Sequence, residues 1–239
     1  MVLSQVFRRF GLSVAPMPTE HREPAGVTVV IPCRNEAEAL PAVLAALPAG
    51  YQPIVVDNGS TDDTAAVATG YGARVVTEPR PGYGAAVQAG IAAARTELVA
   101  VLDGDGSMDP GELPRLVAEI RAGADLAVGR RRPVSGGIWP WHTRLGNRVV
   151  ARRLRHRYGL PVHDIGAMRV APRRRLESLG RLHDRFGYPL ELLVRAAAAG
   201  WDVREVDISY RARAGGRSKV SGSARGSLRA TRDFLAVLR

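Results

Sequence analysis

The sequence is poor in several features, and each shortage argues against a class of protein. It has one cysteine, Cys33, so it cannot form an internal disulfide and is typical of a reducing compartment. No stretch approaches the roughly 20 consecutive apolar residues that a membrane-spanning helix requires. No Gly-x-Gly-x-x-Gly segment follows the first predicted strand, and Gly-Lys-Ser/Thr is absent. These absences argue against a disulfide-linked secreted protein, a membrane-spanning chain, a nicotinamide enzyme and a P-loop NTPase.

Acidic residues are scarce in the second half of the chain. Residues 1–129 hold 9 basic and 15 acidic side chains, whereas residues 130–239 hold 25 basic and 8 acidic ones. The acidic first half is typical of the metal-binding half of an enzyme. The strongly basic second half indicates an anionic partner, which at this level is nucleic acid, anionic lipid or a phosphorylated substrate.

Strand and helix patterns alternate through the first half. Strands are predicted over 27–31, 54–56, 74–76 and 98–102, and helices over 36–47, from about 62, and up to 94. Pro32 is expected to end the first strand. This alternation predicts an α/β fold with an open, mostly parallel sheet and helices on both faces. Ligands of such sheets bind outside the carboxyl ends of the strands.

The predicted strand over 98–102 ends in two carboxylates, Asp103 and Asp105, separated by Gly104. Paired carboxylates at the end of a strand suit a hard divalent cation that is shared with the phosphates of a substrate. A glycine between them allows close approach to the backbone. The same residue types also form ordinary turns, here before a helix that begins near Pro110. Two other strand ends are polar, over 32–36 and 57–60, and this recurrence favours a common binding edge.

The pattern beyond Val128 is less regular. Helices are predicted over 142–158, 190–199 and 225–238, and strands over 165–170 and 203–210. Nine arginines and no acidic residue lie between Arg130 and Arg157. Six of them lie on the helix predicted over 142–158 and, with Trp139 and Trp141 at its start, suit an anionic bilayer surface: Arg144, Arg148, Arg152, Arg153, Arg155 and Arg157. The same face could contact a nucleic-acid backbone, but no reader module is apparent, and no nucleic-acid partner is expected.

Seven blocks of the sequence carry a family resemblance. In chain order they are residues 30–36, 55–62, 82–86, 103–105, 129–131, 164–169 and 215–219. They resemble the motifs of family 2 glycosyltransferases of the GT-A fold, in particular the dolichyl- and polyprenyl-phosphate mannose and glucose synthases. The resemblance implies a GT-A domain over 27–221, with a nucleotide-sugar half (27–129) and an acceptor half (130–221). A flexible or membrane-grazing arm (1–26), rather than a secretion signal, is expected before it and a basic C-terminal helix (222–239) after it.

The resemblance also implies the chemistry. The expected reaction is the inverting, metal-dependent transfer of glucose or mannose from a UDP- or GDP-hexose. Mg²⁺ or Mn²⁺ held by Asp103 and Asp105 would neutralise the leaving diphosphate. Donor contacts are implied for Asp103 and for Pro32, Arg34, Glu36, Asp57, Asp62, Gly84 and Gly104. Glu36 and Asp62 are also placed to cap the helices that follow them.

The nature of the acceptor decides the subclass. A sugar hydroxyl would need a general base, for which Asp164 is the candidate by family position. A polyprenyl phosphate is already anionic and needs cationic positioning instead. The resemblance implies acceptor-phosphate contacts at Arg131, Arg144, Arg217 and Lys219, and catalytic roles for Asp105, Arg131 and Asp164.

Some features depart from the family pattern. Gly106 and Ser107 follow the acidic pair where mannose synthases often place another ligand, and Pro81 stands where relatives commonly have a lysine. No membrane helix is predicted, although many relatives carry them. His163 is more typical of a structural or exposed histidine than of a third metal ligand.

The favoured interpretation is hexosyl transfer to polyprenyl phosphate by a cytoplasmic enzyme, peripheral at the inner face of the plasma membrane. Two alternatives stay open. One is the same donor chemistry on a hydroxyl of a small metabolite or glycan, and the other is a non-catalytic basic scaffold that binds membrane or nucleic acid.

Overall fold

The computed structural model describes residues 26–135, 141–166, 168–214 and 233, apart from the side chains of residues 141–143. The strands are β1 (Val27–Cys33), β2 (Tyr51–Asp57), β3 (Arg74–Thr77), β4 (Leu98–Val101), β5 (Leu126–Pro133), β6 (Arg169–Pro172) and β7 (Val203–Tyr210). The α-helices are α1 (Leu40–Ala45), α2 (Thr64–Gly70), α3 (Tyr83–Ala93), α4 (Leu113–Arg121), α5 (Trp141–Tyr158), α6 (Arg173–Ser178) and α7 (Tyr188–Ala198). A 3₁₀ turn over Pro110–Glu112 precedes α4.

The strands form one sheet in the order β3-β2-β1-β4-β6-β5-β7. β6 is antiparallel to β4 and β5, and the other neighbouring pairs are parallel. The predicted open, mostly parallel sheet is therefore confirmed. Because β6 runs the opposite way, its amino end lies at the same edge as the carboxyl ends of β1, β2, β4, β5 and β7. This edge carries the polar strand ends that the sequence indicates.

Helices cover both faces of the sheet, as predicted. One apolar layer contains side chains of α3, α5, α6 and α7, and the other contains side chains of α1, α2 and α4. The two layers alternate along the central strands: Val30 lies in the first layer, and Val29 and Ile31 lie in the second. A strand buried on both faces must be apolar at consecutive positions, which explains the continuous runs over 27–31 and 98–102.

Three expectations about element boundaries are wrong. Pro32 does not end β1 but lies inside it, opposite Val56. It is tolerated because β4 pairs with β1 only as far as Val30, so no ladder bond from the Pro32 nitrogen is required on that side. The first helix begins at Leu40 rather than at residue 36, after turns in which the Glu36 carbonyl accepts from Ala39 and Leu40.

The strand predicted over 165–170 also begins later, at Arg169. The carbonyl groups of Ile165 and Gly166 accept hydrogen bonds from the Arg169 guanidinium instead of from a neighbouring strand. The predictions for the arm (apart from Gly26) and for the C-terminal helix (apart from Asp233) concern residues outside the described ranges. Among the helices of the described residues, none is long and apolar enough to cross a membrane.

Candidate functional site

The acidic pair lies at the polar edge of the sheet, directly after β4. Asp105 is almost fully buried, and one of its carboxylate oxygens accepts a hydrogen bond from the backbone N–H of Ser107 (2.9 Å). The Oδ1 atom of Asp103 is buried and, among the described residues, has no hydrogen-bond partner. Burial, followed by the negative charge of Asp105, raises the pKa of Asp103 to about 6. The structure thus brings the two carboxylates together, and one of them has a buried oxygen to offer to a ligand.

Arg213 reaches the acidic pair from the segment that follows β7. Its Nη2 atom lies 2.9 Å from Asp105 Oδ2, and its Nη1 atom lies 3.9 Å from a carboxylate oxygen of Glu36. The backbone fixes this approach, since the N–H groups of Arg211 and Ala214 donate to the carbonyls of Ser107 and Asp105. A fixed cation beside the acidic pair is suited to contact the phosphates of a ligand that binds there.

A second cation, Arg169, is buried at the start of β6, opposite Val101 of β4. The side chain is 2% exposed, and its Nε and Nη1 atoms have no hydrogen-bond partner among the described residues. The hydroxyl of Tyr83 is buried and unpartnered in the same way. The charges of Asp103 and Arg169 both act on the pKa of Tyr83, which burial raises well above its ordinary value. Arg169 therefore supplies a permanent positive charge close to Asp103.

An ion pair with three hydrogen bonds joins Arg131 on β5 to Asp164. Asp164 Oδ2 accepts from the backbone N–H (2.9 Å) and the Nε–H (2.7 Å) of Arg131, and Oδ1 accepts from Nη2 (2.7 Å). Asp164 is buried, and the Arg131 guanidinium also lies over the ring of Tyr210, 5.5 Å from its centroid. Burial would lower the pKa of Arg131, but the pair with Asp164 outweighs it and raises that pKa above its ordinary value.

Glu205 on β7 holds the loop that carries Asp164. It accepts hydrogen bonds from the backbone N–H groups of His163 and Asp164 and contacts the His163 ring at 2.9 Å. His163 is half exposed, as expected for a structural or surface histidine. Asp164 is therefore fixed from two sides, and its carboxylate fixes the plane of the Arg131 guanidinium.

The donor-side carboxylates lie in neighbouring loops and are engaged by their own backbone. Asp57 accepts from Ser60 N–H (3.0 Å), and Asp62 accepts from the N–H groups of Ala37 (3.2 Å) and Thr64 (3.1 Å). These bonds, with one from the Thr64 hydroxyl, outweigh desolvation and lower the pKa of Asp62. Asp62 thus ties the loop after β1 to Thr64, the first residue of α2. The N-cap of α2 is Asp63, whose side chain makes no capping hydrogen bond, so the expectation that Asp62 caps this helix is wrong.

Both glycines implied as donor contacts are required by packing. A Cβ at Gly84 would overlap the carbonyl oxygen of His183, and a Cβ at Gly104 would lie 2.6 Å from Cys33 Sγ. The segment of His183 crosses the start of α3 so closely that no larger residue fits there. Cys33 is buried in the apolar layer, in agreement with a packing role.

The remaining predicted contacts have different surroundings. Pro32 is half-buried in β1, Arg34 is exposed in the loop after it, Glu36 is buried, and Arg144 is exposed in the first turn of α5. Arg217 and Lys219 lie outside the described residues. The side chains of Trp139 and Trp141 do so as well.

Three residues of the site were missed by sequence reasoning: Arg169, Arg213 and Asn58. Arg169 ends one of the family blocks, but the alternation of apolar residues around it predicts only a strand. Arg213 lies two residues before the last block, and nothing in its local sequence distinguishes it from the other arginines. The Asn58 side chain donates to the carbonyls of Glu78 and Arg80 and accepts from Gly82 N–H, so it holds the loop before α3.

Comparison with known sequences identifies relatives along most of the chain. The family model described as "Glycosyl transferase family 2" matches residues 28–180. An uncharacterized glycosyltransferase of Mycobacterium tuberculosis is 65% identical, with 89% of this chain and 97% of the relative covered. A dolichyl-phosphate hexose transferase of Haloferax volcanii is 34% identical (79% and 84% covered). A polyprenol monophosphomannose synthase of Mycolicibacterium smegmatis is 36% identical (86% and 85% covered).

Comparison with solved structures supports the same fold. Glucosyl-3-phosphoglycerate synthase of Mycobacterium tuberculosis, in complex with Mg²⁺ and uridine diphosphate, matches with a TM-score of 0.73 at 26% identity. The match covers 90% of this chain and 78% of that protein. The GT-A fold predicted from the sequence is therefore confirmed.

Proposed function

This chain belongs to glycosyltransferase family 2, and on that premise we propose that it transfers a hexose from a nucleoside-diphosphate sugar to polyprenyl phosphate. The relatives that act on dolichyl or polyprenyl phosphate, at 34% and 36% identity, support this acceptor. The bound uridine diphosphate of the structural neighbour supports a nucleoside-diphosphate donor. As a family 2 glycosyltransferase, the chain is an enzyme, so the non-catalytic scaffold is set aside.

The donor would bind at the polar edge, with its diphosphate beside the acidic pair and Arg213. The buried Oδ1 of Asp103, which has no partner among the described residues, fits a divalent cation, and Asp103 and Asp105 would hold Mg²⁺ or Mn²⁺ there. No group of three or more His, Cys, Asp or Glu side chains suited to a metal occurs among the described residues, so the diphosphate would supply the other ligands. When bound, such an ion neutralises the charge that develops on the leaving nucleoside diphosphate. Arg213 would add a fixed positive charge at the same phosphates.

The choice of acceptor rests on one observation, the ion pair between Asp164 and Arg131. Both carboxylate oxygens of Asp164 accept hydrogen bonds from Arg131, so this carboxylate is not poised to take a proton from a hydroxyl nucleophile. A phosphate monoester needs no such base, because it is already an anion near neutral pH. We therefore assign Asp164 to positioning Arg131, and Arg131 to holding the acceptor phosphate.

The reaction would proceed as an inverting displacement. A phosphate oxygen of the acceptor attacks the anomeric carbon of the hexose from the side opposite the diphosphate. The bond from that carbon to the diphosphate oxygen breaks, and its electron pair leaves with the nucleoside diphosphate. Arg131 would orient the attacking phosphate, and Arg213 would stabilise the leaving group.

A second candidate acceptor is a small phosphorylated metabolite. The likeness to glucosyl-3-phosphoglycerate synthase favours it, because that protein's named product carries no lipid. Both candidates place a phosphate near Arg131, and they differ in whether the product partitions into an organic solvent.

The test is a transfer assay with radiolabelled UDP-glucose and GDP-mannose, Mn²⁺, and either polyprenyl phosphate or 3-phosphoglycerate. The proposal predicts label in the organic phase with polyprenyl phosphate, lost in Asp105→Asn and retained in Asp109→Asn. Asp109 is a matched control because it lies in the same loop, where it caps the 3₁₀ turn and pairs with the exposed Arg211 (3.6 Å). Label confined to the aqueous product would refute the lipid acceptor.

We further propose a cytoplasmic enzyme, peripheral at the inner face of the plasma membrane, since its acceptor would lie in that membrane. The arginines of α5 would face the anionic bilayer surface. Fractionation of cells that express the full chain tests this location: the enzyme should sediment with membranes and be released by high salt.

A further inference from the structure

Helix α5 presents apolar side chains where a helix on a protein surface is expected to be polar. Leu145 and Val149 are 51% and 59% exposed, among four large apolar side chains exposed in the described part of the chain. The inner face of α5 is formed by the fully buried Ala151 and Leu154. At about 100° per residue, Leu145 and Val149 lie on the opposite side of the helix from that pair. They therefore form the most outward line of α5.

Arginines border this line on both sides. On the same helical projection, Arg148 and Arg152 lie along one side of it and Arg153 along the other. The helix has six arginines and no acidic residue. Two outward apolar side chains between basic ones match the pattern of a helix that lies in an anionic membrane interface. A nucleic-acid backbone would contact the arginines but would leave Leu145 and Val149 in water.

The inner face of α5 is connected to the acceptor side of the site. Asn147 Oδ1 accepts a hydrogen bond from the backbone N–H of Ile165 (3.2 Å), the residue next to Asp164. A helix with its side chains is about 10 Å thick. The outward line of α5 is thus separated from the loop that carries Asp164 by roughly one helix diameter.

We propose that Leu145 and Val149, with Arg148, Arg152 and Arg153, form a docking face that inserts at the surface of an anionic bilayer. The role of this docking face rests on the proposed function: docking in this orientation brings Arg131, which would hold the acceptor phosphate, close to the level of the lipid phosphates. The apolar pair enters the boundary between head groups and acyl chains, and the arginines contact the anionic head groups.

Flotation with phosphatidylcholine vesicles, with and without phosphatidylglycerol, tests the docking face on the full chain. The protein should float only with the anionic vesicles and should be released by high salt. The double variant Leu145→Gln/Val149→Gln should lower the vesicle partition coefficient about tenfold, and Arg148→Gln/Arg152→Gln about as much. Glutamine is a good helix former, so α5 and the thermal midpoint should be preserved. The matched control is Tyr71→Gln, which removes an exposed apolar side chain beside α2 and should leave flotation unchanged.

Several results would overturn the docking face. They are failure of the unaltered protein to float, flotation of Leu145→Gln/Val149→Gln at the unaltered level, or an equal loss in Tyr71→Gln. Arginine-dependent binding to duplex RNA in place of vesicles would overturn it as well.

Transfer assays separate this inference from the proposed function. With polyprenyl phosphate in detergent micelles, Leu145→Gln/Val149→Gln should keep full activity, and with the acceptor in anionic vesicles it should lose about tenfold. A protein that floats as predicted but forms no lipid-linked sugar would refute the acceptor and leave the docking face supported.

Discussion

Replacing Asp164 by asparagine should impair the enzyme only through Arg131. The carboxamide keeps one acceptor oxygen, which can retain the bonds from the Arg131 backbone N–H and Nε. Its NH₂ group, however, would face the Nη2–H of Arg131, which in the unaltered protein donates to Asp164 Oδ1 (2.7 Å). One charge-assisted hydrogen bond is lost, and the partly buried guanidinium loses its counter-charge. Because Arg131 is still 19% exposed, we expect a loss of about 2–3 kcal/mol in the free energy of unfolding.

The effect on catalysis is predicted for the acceptor rather than for the donor. A misaligned Arg131 should lower kcat/KM for polyprenyl phosphate about 10- to 100-fold, which corresponds to roughly 1.4–2.8 kcal/mol of lost transition-state stabilisation. The KM for the nucleotide sugar should change less than about twofold, because the donor contacts lie on the other side of the acidic pair.

A double-mutant cycle distinguishes positioning from general-base catalysis. In an Arg131→Gln background, Asp164→Asn should reduce kcat/KM by less than about twofold, because the residue through which it acts is already gone. The matched control is Asp207→Asn on β7, which breaks an exposed pair with Arg132 and a longer contact with Arg130 (3.8 Å), both on the same strand as Arg131, and should change little. If Asp164→Asn costs the same factor in both backgrounds, the assignment of Asp164 as a positioning residue is refuted.

Three further predictions concern the donor half. Asp105→Asn should abolish Mn²⁺-dependent binding of uridine diphosphate in calorimetry, and retention of that binding would exclude Asp105 as a ligand. The same metal-dependent affinity should fall as the pH is lowered through about 6. Asp103 must be ionised to hold a cation, and because its pKa is raised to about 6, it is neutral below that pH. Asp103→Asn should remove this pH dependence, and an unchanged profile in the variant would assign the titration to another group. Gly84→Ala should lower the free energy of unfolding by about 2–3 kcal/mol, because its methyl group overlaps the His183 carbonyl, whereas Gly70→Ala has open space and should lose nothing in denaturant titrations.

Most of the fold could be predicted because its core strands are buried on both faces. The runs over 27–31 and 98–102 have no polar residue that would suggest another structure, apart from Thr28, whose hydroxyl pairs with Thr96 inside the core. The order of the strands and the reversal of β6 were not predictable. They depend on the pairing of Val101 with Arg169, and no local pattern encodes such a long-range contact. The short helix α6 was also missed, since only Leu176 of its residues is buried.

The sequence predicted those site residues that have a recognisable chemistry and directly follow a predicted strand. Asp103 and Asp105 follow a strand directly, so the acidic pair is visible without the fold. Arg213 and Arg169 come close to the acidic pair from distant segments of the chain. Among the many arginines of the basic second half, only burial and ion pairing distinguish these two, and the sequence does not show either property. The pairing of Arg131 with Asp164 joins residues 33 positions apart, and it favours a positioning role for Asp164 over the general-base role that a hydroxyl acceptor would require.

Mass spectrometry of the product formed from polyprenyl phosphate and a nucleotide hexose tests most directly the proposal that this glycosyltransferase transfers a hexose to a lipid phosphate. We expect a mass increase of one hexose residue on the polyprenyl monophosphate, formed by the unaltered enzyme and not by Asp105→Asn. A hexose found only on a hydroxyl of a water-soluble acceptor would contradict it.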